Sequence, residues 1–216
     1  MKYAIKIYLY LLLFNLVLGN QFLPLNQTFL NQNQIFFKWP QINKAVNYKI
    51  NFNDNQLVFE SILNSTIIDG FNWGESYSWN VCGINQYDEI IRCYDENYFT
   101  INSLHEDYPS NVTVLEIDEN QYQDGITLLD YESLNFSAAI DKFGNPVWFS
   151  NNDNFSLNRI LATQFLDNGN IVGFAPGIGY EFNLNSDITF ETSNEFDIHH
   201  SIHKTSKDTY FFIDAE

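Results

Sequence analysis

Basic residues are scarce in this chain. Ten Lys and Arg stand against 27 Asp and Glu in 216 residues, a formal charge of −17. A polymer this acidic repels phosphate backbones and anionic lipid surfaces, so nucleic-acid binding is argued against. Charged residues of both signs reach only 17%, while aromatics reach 17% and apolar residues 45%. A disordered chain has the opposite balance. Glycine and proline are few, at 10 and 5, with none of the collagen period. No Gly-x-x-x-x-Gly-Lys occurs, so no nucleotide-phosphate loop is present. Helical periodicity is lacking too. Short apolar runs alternate with Asn, Asp, Gly and Ser clusters every 8–12 residues or so, the pattern of an all-β chain.

Long hydrophobic runs are absent except at the start. Lys2 and Lys6 precede an apolar run over residues 7–18, broken only by Asn15 and followed by Gly19. The run is about 12 residues, and a bilayer span needs about 20. Residues 1–19 are therefore expected to be a secretory signal peptide rather than a membrane anchor. No later run could span a bilayer, so no stable membrane anchor is expected. The mature chain is expected to be secreted or lumenal in the secretory pathway. Five Asn-x-Ser/Thr sequons agree with that route: Asn26, Asn64, Asn111, Asn135 and Asn154.

Cys82 and Cys93 are the only cysteines. Residues 77–84 and 89–94 both read as strands. Folded as a hairpin about Tyr87-Asp88, they set 84 opposite 91 and 82 opposite 93. Cross-strand partners come within disulfide reach, and the bond is expected in an oxidising compartment.

Two regions differ in pattern. Between 22 and 102, strands are expected at 35–39, 48–52, 57–62, 66–68, 77–84 and 90–100. Tyr48, Ile50 and Phe52 share one face, as do Tyr77, Trp79 and Val81. Residues 103–112 are polar, carry Pro109 and read as a linker. From 113 to 216 the chain becomes a series of hairpins with turns at Gly144, Asp167-Asn-Gly-Asn170, Asn185-Ser-Asp187 and Lys207-Asp208.

The first region resembles a fibronectin type III-like β-sandwich. The resemblance rests on Phe37-Lys-Trp39-Pro, on Ala45-Val-Asn-Tyr48-Lys-Ile and on Phe71-Asn-Trp-Gly74-Glu-Ser-Tyr77-Ser-Trp-Asn-Val81. It implies two packed sheets and a tyrosine closing a corner before a long strand.

Three of the four histidines cluster: His199, His200 and His203. Strand alternation points 199 and 203 to one face and 200 to the other. As metal ligands they would be split across the sheet, and neither the Glu of a zincin pattern nor a nearby Cys is present. No metal site is assigned. As structural residues they would bond a turn at a sheet edge. As chemical residues they follow an ordered series: Asp124-Gly-Ile-Thr-Leu-Leu, Ala139-Ile-Asp-Lys-Phe-Gly-Asn-Pro-Val-Trp148, Leu166-Asp-Asn-Gly-Asn-Ile-Val-Gly, Tyr180-Glu-Phe-Asn-Leu and His199-His-Ser-Ile-His. Across about 100 residues this series resembles the start of the β-propeller of PAPS-independent arylsulfotransferases.

That resemblance implies a group transfer without cofactors, from a small aryl sulfate ester to a phenolic acceptor through a sulfated histidine. His200, and after it His199, match the family's first histidine element and would bind the sulfuryl group or protonate the leaving oxygen. The family's nucleophilic histidine and its arginine belong to later blades. Ser201 stands where the family usually has Asp, which removes a carboxylate that orients an imidazole. Lys207-Asp208 replaces the usual Asn-Gly turn. A closed six-bladed propeller needs about 240 residues or more. The resemblance therefore describes two to three blades, and the chain is expected to be a fragment without turnover of its own. A non-catalytic secreted binding or adhesion protein is the competing expectation.

Overall fold

The computed structural model describes residues 21–106, 108, 112–118, 121, 125–131, 136–193 and 197–214. The expected signal peptide lies outside them. The described residues are almost entirely strand and turn, with two short 3-10 turns at Asn152–Asn154 and Ser156–Asn158. The chain divides into two compact units. Among the described residues, one takes those up to Phe29 together with Gln34–Ile101; the other takes Leu30–Asn33 and those from Asn102 onward.

The first unit holds β1 (Thr28–Leu30), β2 (Ile35–Lys38), β3 (Asn47–Phe52), β4 (Leu57–Ser61), β5 (Ser65–Ile68), β6 (Ser76–Ile84), β7 (Ile90–Cys93) and β8 (Asn97–Ile101). They form a sheet of order β1-β8-β6-β3-β4, with β7 also paired to β6, and a separate β2·β5 pair. Period-2 alternation sends Ile35 and Phe37 inward from β2, Tyr48, Ile50 and Phe52 from β3, and Trp79 and Val81 from β6. Phe37 is fully buried, with its ring centroid 4.9 Å from Trp79 and 5.3 Å from Phe52. Each such aromatic contributes roughly 2–3 kcal/mol by leaving water. Tyr77 turns its hydroxyl back to accept the Asn72 N–H at 2.9 Å, which fixes the corner leading into β6.

The disulfide forms as expected: Cys82 and Cys93 are cross-strand partners with Cα atoms 3.9 Å apart. A bulge between Gly83 and Ile84 corrects the rest of the register, so that Ile84 faces Ile90 rather than 91. The expected strand at 90–100 is two strands. Both β7 and β8 pair with β6, and residues 94–96 carry the chain between them.

The second unit holds β9 (Thr127–Tyr131), β10 (Phe136–Ile140), β11 (Pro146–Phe149), β12 (Leu161–Phe165), β13 (Ile171–Ala175), β14 (Ile178–Phe182), β15 (Ile188–Glu191), β16 (Ile198–Lys204) and β17 (Tyr210–Asp214). They make three antiparallel sheets in chain order: β9–β11, β12–β15 and β16–β17. Leu30–Asn33 lines the outer edge of the first: Gln32 bridges Trp148, and Asn33 N–H donates to Val147 O at 3.2 Å. The expected linker is also anchored here. His105 stacks on Phe136 at 4.7 Å, and buried Tyr108 donates its hydroxyl to Ala139 O at 2.9 Å.

Trp148, Phe155, Ile160, Ile171, Tyr180 and Phe182 fill the core between the first two sheets; Val172, Ile198 and Ile202 fill that between the second and third. Small residues set the spacing. A Cβ on Gly173 would lie 2.6 Å from Leu161 O, and one on Gly179 would lie 2.3 Å from Ile202 Cδ1.

One turn recurs in both units. Asn85, Asp141, Leu166, Asn183 and Thr205 each accept, through their carbonyl, the N–H three residues on, and donate their own N–H to the carbonyl four residues on. The fourth residue is left-handed each time: Asp88, Gly144, Gly169, Ser186 and Asp208 have φ of 63°, 83°, 86°, 66° and 57°. This is a type I turn closed by a left-handed residue. Asp208 thus keeps the geometry that glycine gives elsewhere.

Candidate functional site

The leading strands of the three second-unit sheets are spliced side by side by side chains. Asp130 of β9 accepts the Ala162 N–H of β12 at 3.2 Å. Gln164 of β12 holds Lys204 of β16 from both sides, accepting its N–H at 2.9 Å and donating to its carbonyl at 3.2 Å. The Thr163 hydroxyl donates to Ile202 O. These bonds place the ends of β9, β12 and β16 around one cleft of about 450 Å³. Its chemistry comes from Asp130, Arg159 and His200, and its walls include Leu161, Phe174 and Ile198.

His200 reaches the cleft through a break in strand regularity. Between the pairs Ile198↔Asp214 and Ile202↔Phe212, β16 carries two extra residues. The bulge puts His200 at φ 70°, exposed to solvent. Non-glycine residues take that conformation at some cost, and such outliers concentrate at functional sites. The bulge corrects the simple alternation expected for 199, 200 and 203. His203 resumes the regular ladder opposite Phe211 and is exposed. The side chain of His199 lies outside the described residues. Among the described residues, no three His, Cys, Asp or Glu come together as a metal site would require.

Arg159 closes the second 3-10 turn and enters β12 half-buried. The two residues before it, Leu157 and Asn158, are both left-handed, with φ 56° and 49°. Asp130 Oδ1 also accepts the hydroxyl of fully buried Ser137, whose oxygen accepts the same Ala162 N–H at 2.7 Å. Burial pushes the Asp130 carboxyl above its ordinary range, against the opposing pull of Ser137 and Ala162.

The second and third sheets also share a buried ionic knot. Glu181 is 4% exposed and takes Lys204 Nζ at 2.7 Å, the Tyr210 hydroxyl at 2.5 Å and Asn170 Nδ2 at 2.7 Å. Burial alone would raise its pKa. The three donors and the Lys204 charge overcome that and hold it at about 2. Both carboxylate oxygens are held from within the protein, Oε1 by Asn170 and Oε2 by Lys204 and Tyr210, so the knot acts as a clamp between the second and third sheets.

Asp130 and Arg159 escaped the sequence reading. Asp130 closes the apolar stretch Ile126-Thr-Leu-Leu129, and Arg159 is one of two arginines in a strongly acidic chain. That rarity was the available signal. Of the sequons, Asn111 and Asn135 lie outside the described residues. Asn26 is exposed, Asn64 gives Nδ2 to Trp39 O at 3.0 Å, and Asn154 gives it to Ser186 O at 3.1 Å. No helix among the described residues is long and apolar enough to cross a membrane. No protein-family model and no curated protein matches the chain.

Proposed function

We propose that the second unit is the sulfuryl-ester-binding part of a secreted arylsulfotransferase-like protein. The observation that carries this reading is the cleft lined by Asp130 of β9, Arg159 of the turn before β12 and His200 of β16. An aryl sulfate presents one negative charge spread over three terminal oxygens. A guanidinium fork suits that geometry, and an imidazole beside it adds a further donor. A carboxyl whose pKa is raised by burial is suited to exchanging a proton with a leaving phenolate or an incoming phenol. Leu161, Phe174 and Ile198 offer an aryl ring an apolar wall. Transfer itself needs a nucleophilic histidine, which the resemblance assigns to later blades. In this reading the present chain binds the ester and does not turn it over.

The architecture supports the same reading. Serial antiparallel sheets whose hairpins share one repeated turn fit propeller blades. In the first unit, β2·β5 opposite β4-β3-β6-β7, together with the Tyr77 corner, fits a fibronectin III-like sandwich. The Cys82–Cys93 bond fits an oxidising compartment.

Isothermal titration with 4-nitrophenyl sulfate tests the proposal. The expected result is saturable binding that Arg159→Ala weakens at least about tenfold, the effect of losing one charge-assisted contact. No 4-nitrophenol should be released. Absence of binding, or binding indifferent to Arg159→Ala, contradicts the site. Release of 4-nitrophenol contradicts the absence of a nucleophile.

A further inference from the structure

We propose that Asn26 carries an N-linked glycan whose first sugars lie in a cleft of the first unit, on the rings of Phe29 and Tyr98. The proposal rests on the secretory reading above. The cleft has a volume of about 590 Å³, and its wall includes Gln27, Phe29, Asn53, Gln56, Tyr98 and Thr100. Phe29 is 62% exposed and Tyr98 47%, although both are aromatic side chains on strands of a packed sheet. Rings flanked by amide and hydroxyl groups match a sugar, whose C–H face stacks on aromatics while its hydroxyl and acetamido groups bond to amides.

The occupant is identified by how the sequon is held. Tyr98 is gripped from both sides by residues 26 and 27: its N–H donates to Asn26 Oδ1 at 2.9 Å, and its carbonyl accepts the Gln27 N–H at 2.7 Å. The carbonyl end of the Asn26 amide is therefore fixed on the strand that lines the cleft. Its Nδ2 has no partner among the described residues, and the side chain is exposed. Gln27 is left-handed at φ 63°, and the Thr28 N–H closes a turn on Leu25 O at 3.3 Å, so Asn26 sits at a corner. The same run, 26–29, supplies both the attachment nitrogen and part of the cleft wall. At Asn64 and Asn154 the corresponding nitrogen is committed to a backbone carbonyl. The Tyr98 ring is steadied by its hydroxyl, which donates to Glu96 at 2.9 Å.

The chemistry is oligosaccharyl transfer from a lipid pyrophosphate donor. A bond forms between Nδ2 and the anomeric carbon, the carbon–oxygen bond to the pyrophosphate breaks, and Nδ2 loses one proton. Oδ1 keeps its bond to Tyr98.

The test is translation of the full chain with microsomes, followed by glycopeptide mapping and melting of the product secreted by eukaryotic cells. Protease protection reports entry into the lumen independently of any sugar. The expected result is a protected chain with a sugar on Asn26. Thr28→Ala, which removes the sequon but keeps Asn26, should lose that sugar and lower the Tm of the first unit by about 3–6 °C. In a Phe29→Ala/Tyr98→Ala background the same substitution should leave Tm unchanged. An unprotected chain overturns the secretory reading and this proposal with it. A protected chain bare at Asn26 overturns the proposal alone, as does an undiminished Thr28→Ala effect in the double-alanine background. Free chitobiose raising the Tm of wild type as much as that of Thr28→Ala overturns it in favour of a site for external sugar.

Discussion

Replacing Lys204 by Met leaves Glu181 buried with two neutral donors and no counter-charge. The carboxyl of Glu181 sits at about 2, against an ordinary 4.5, because Lys204, Tyr210 and Asn170 outweigh the burial. Carried through proton linkage, a difference of that size corresponds to about 3 kcal/mol at neutral pH. The sign follows from the direction of the shift. The contribution is complete above pH 4.5, where the unfolded chain is ionised, and is lost as pH falls toward 2. The Lys204 partner is shifted upward by the same contact, so its share is present below 10.5 and lost only on the alkaline side. Lys204→Met is therefore expected to cost about 2–3 kcal/mol at pH 7, and about 1–1.5 kcal/mol at pH 3, where the wild type has already lost more than half of the contribution. Hydrogen exchange of the β14 and β16 amides isolates the second unit from the first. Protection should fall roughly 30- to 150-fold at pH 7 and much less at pH 3. A change below about threefold at pH 7, or an equal change at both pH values, would refute the argument that charge pairing holds these two sheets together.

Three further outcomes are expected. Joint replacement of Cys82 and Cys93 by Ser opens a loop with a sequence separation of 11 and should cost the first unit about 3 kcal/mol in urea unfolding. Gly173→Ala should cost about 3 kcal/mol, because its Cβ meets the Leu161 carbonyl, a backbone atom that cannot rotate away. Asp88→Gly should raise the melting temperature slightly, by about 0.5 kcal/mol of stability, because the residue occupies a left-handed turn position that glycine takes without strain.

Strand alternation in β2, β3 and β6 was legible in the sequence because one face of each strand is buried, and burial enforces period two. The cysteine pairing was legible for the same reason: a hairpin fixes who faces whom. The split of 90–100 was not legible. Asp95 and Glu96 interrupt the pairing with β6, yet the apolar and aromatic residues on either side read as one strand. Two of the five equivalent turns carry glycine and announce themselves. Asp88, Ser186 and Asp208 do the same conformational work with residue types that also occur in many other settings. The bulge at His200 defeated the period-two argument, since two added residues on one strand leave no compositional trace. The cleft itself depends on long-range splices, Asp130 to Ala162 and Gln164 to Lys204, that no local pattern encodes. His200 is legible through the resemblance, whereas Arg159 matches no motif.

In the proposed reading an aryl sulfate lies against Arg159 and His200. The most direct test of that reading is the nitrogen-15 spectrum of the histidine imidazoles, recorded while 4-nitrophenyl sulfate is added. A saturable shift is expected at His200, with little movement at His105 and exposed His203, and with loss of the His200 shift in Arg159→Ala. A His200 signal that stays in place while ligand binds, or that moves equally in Arg159→Ala, contradicts it.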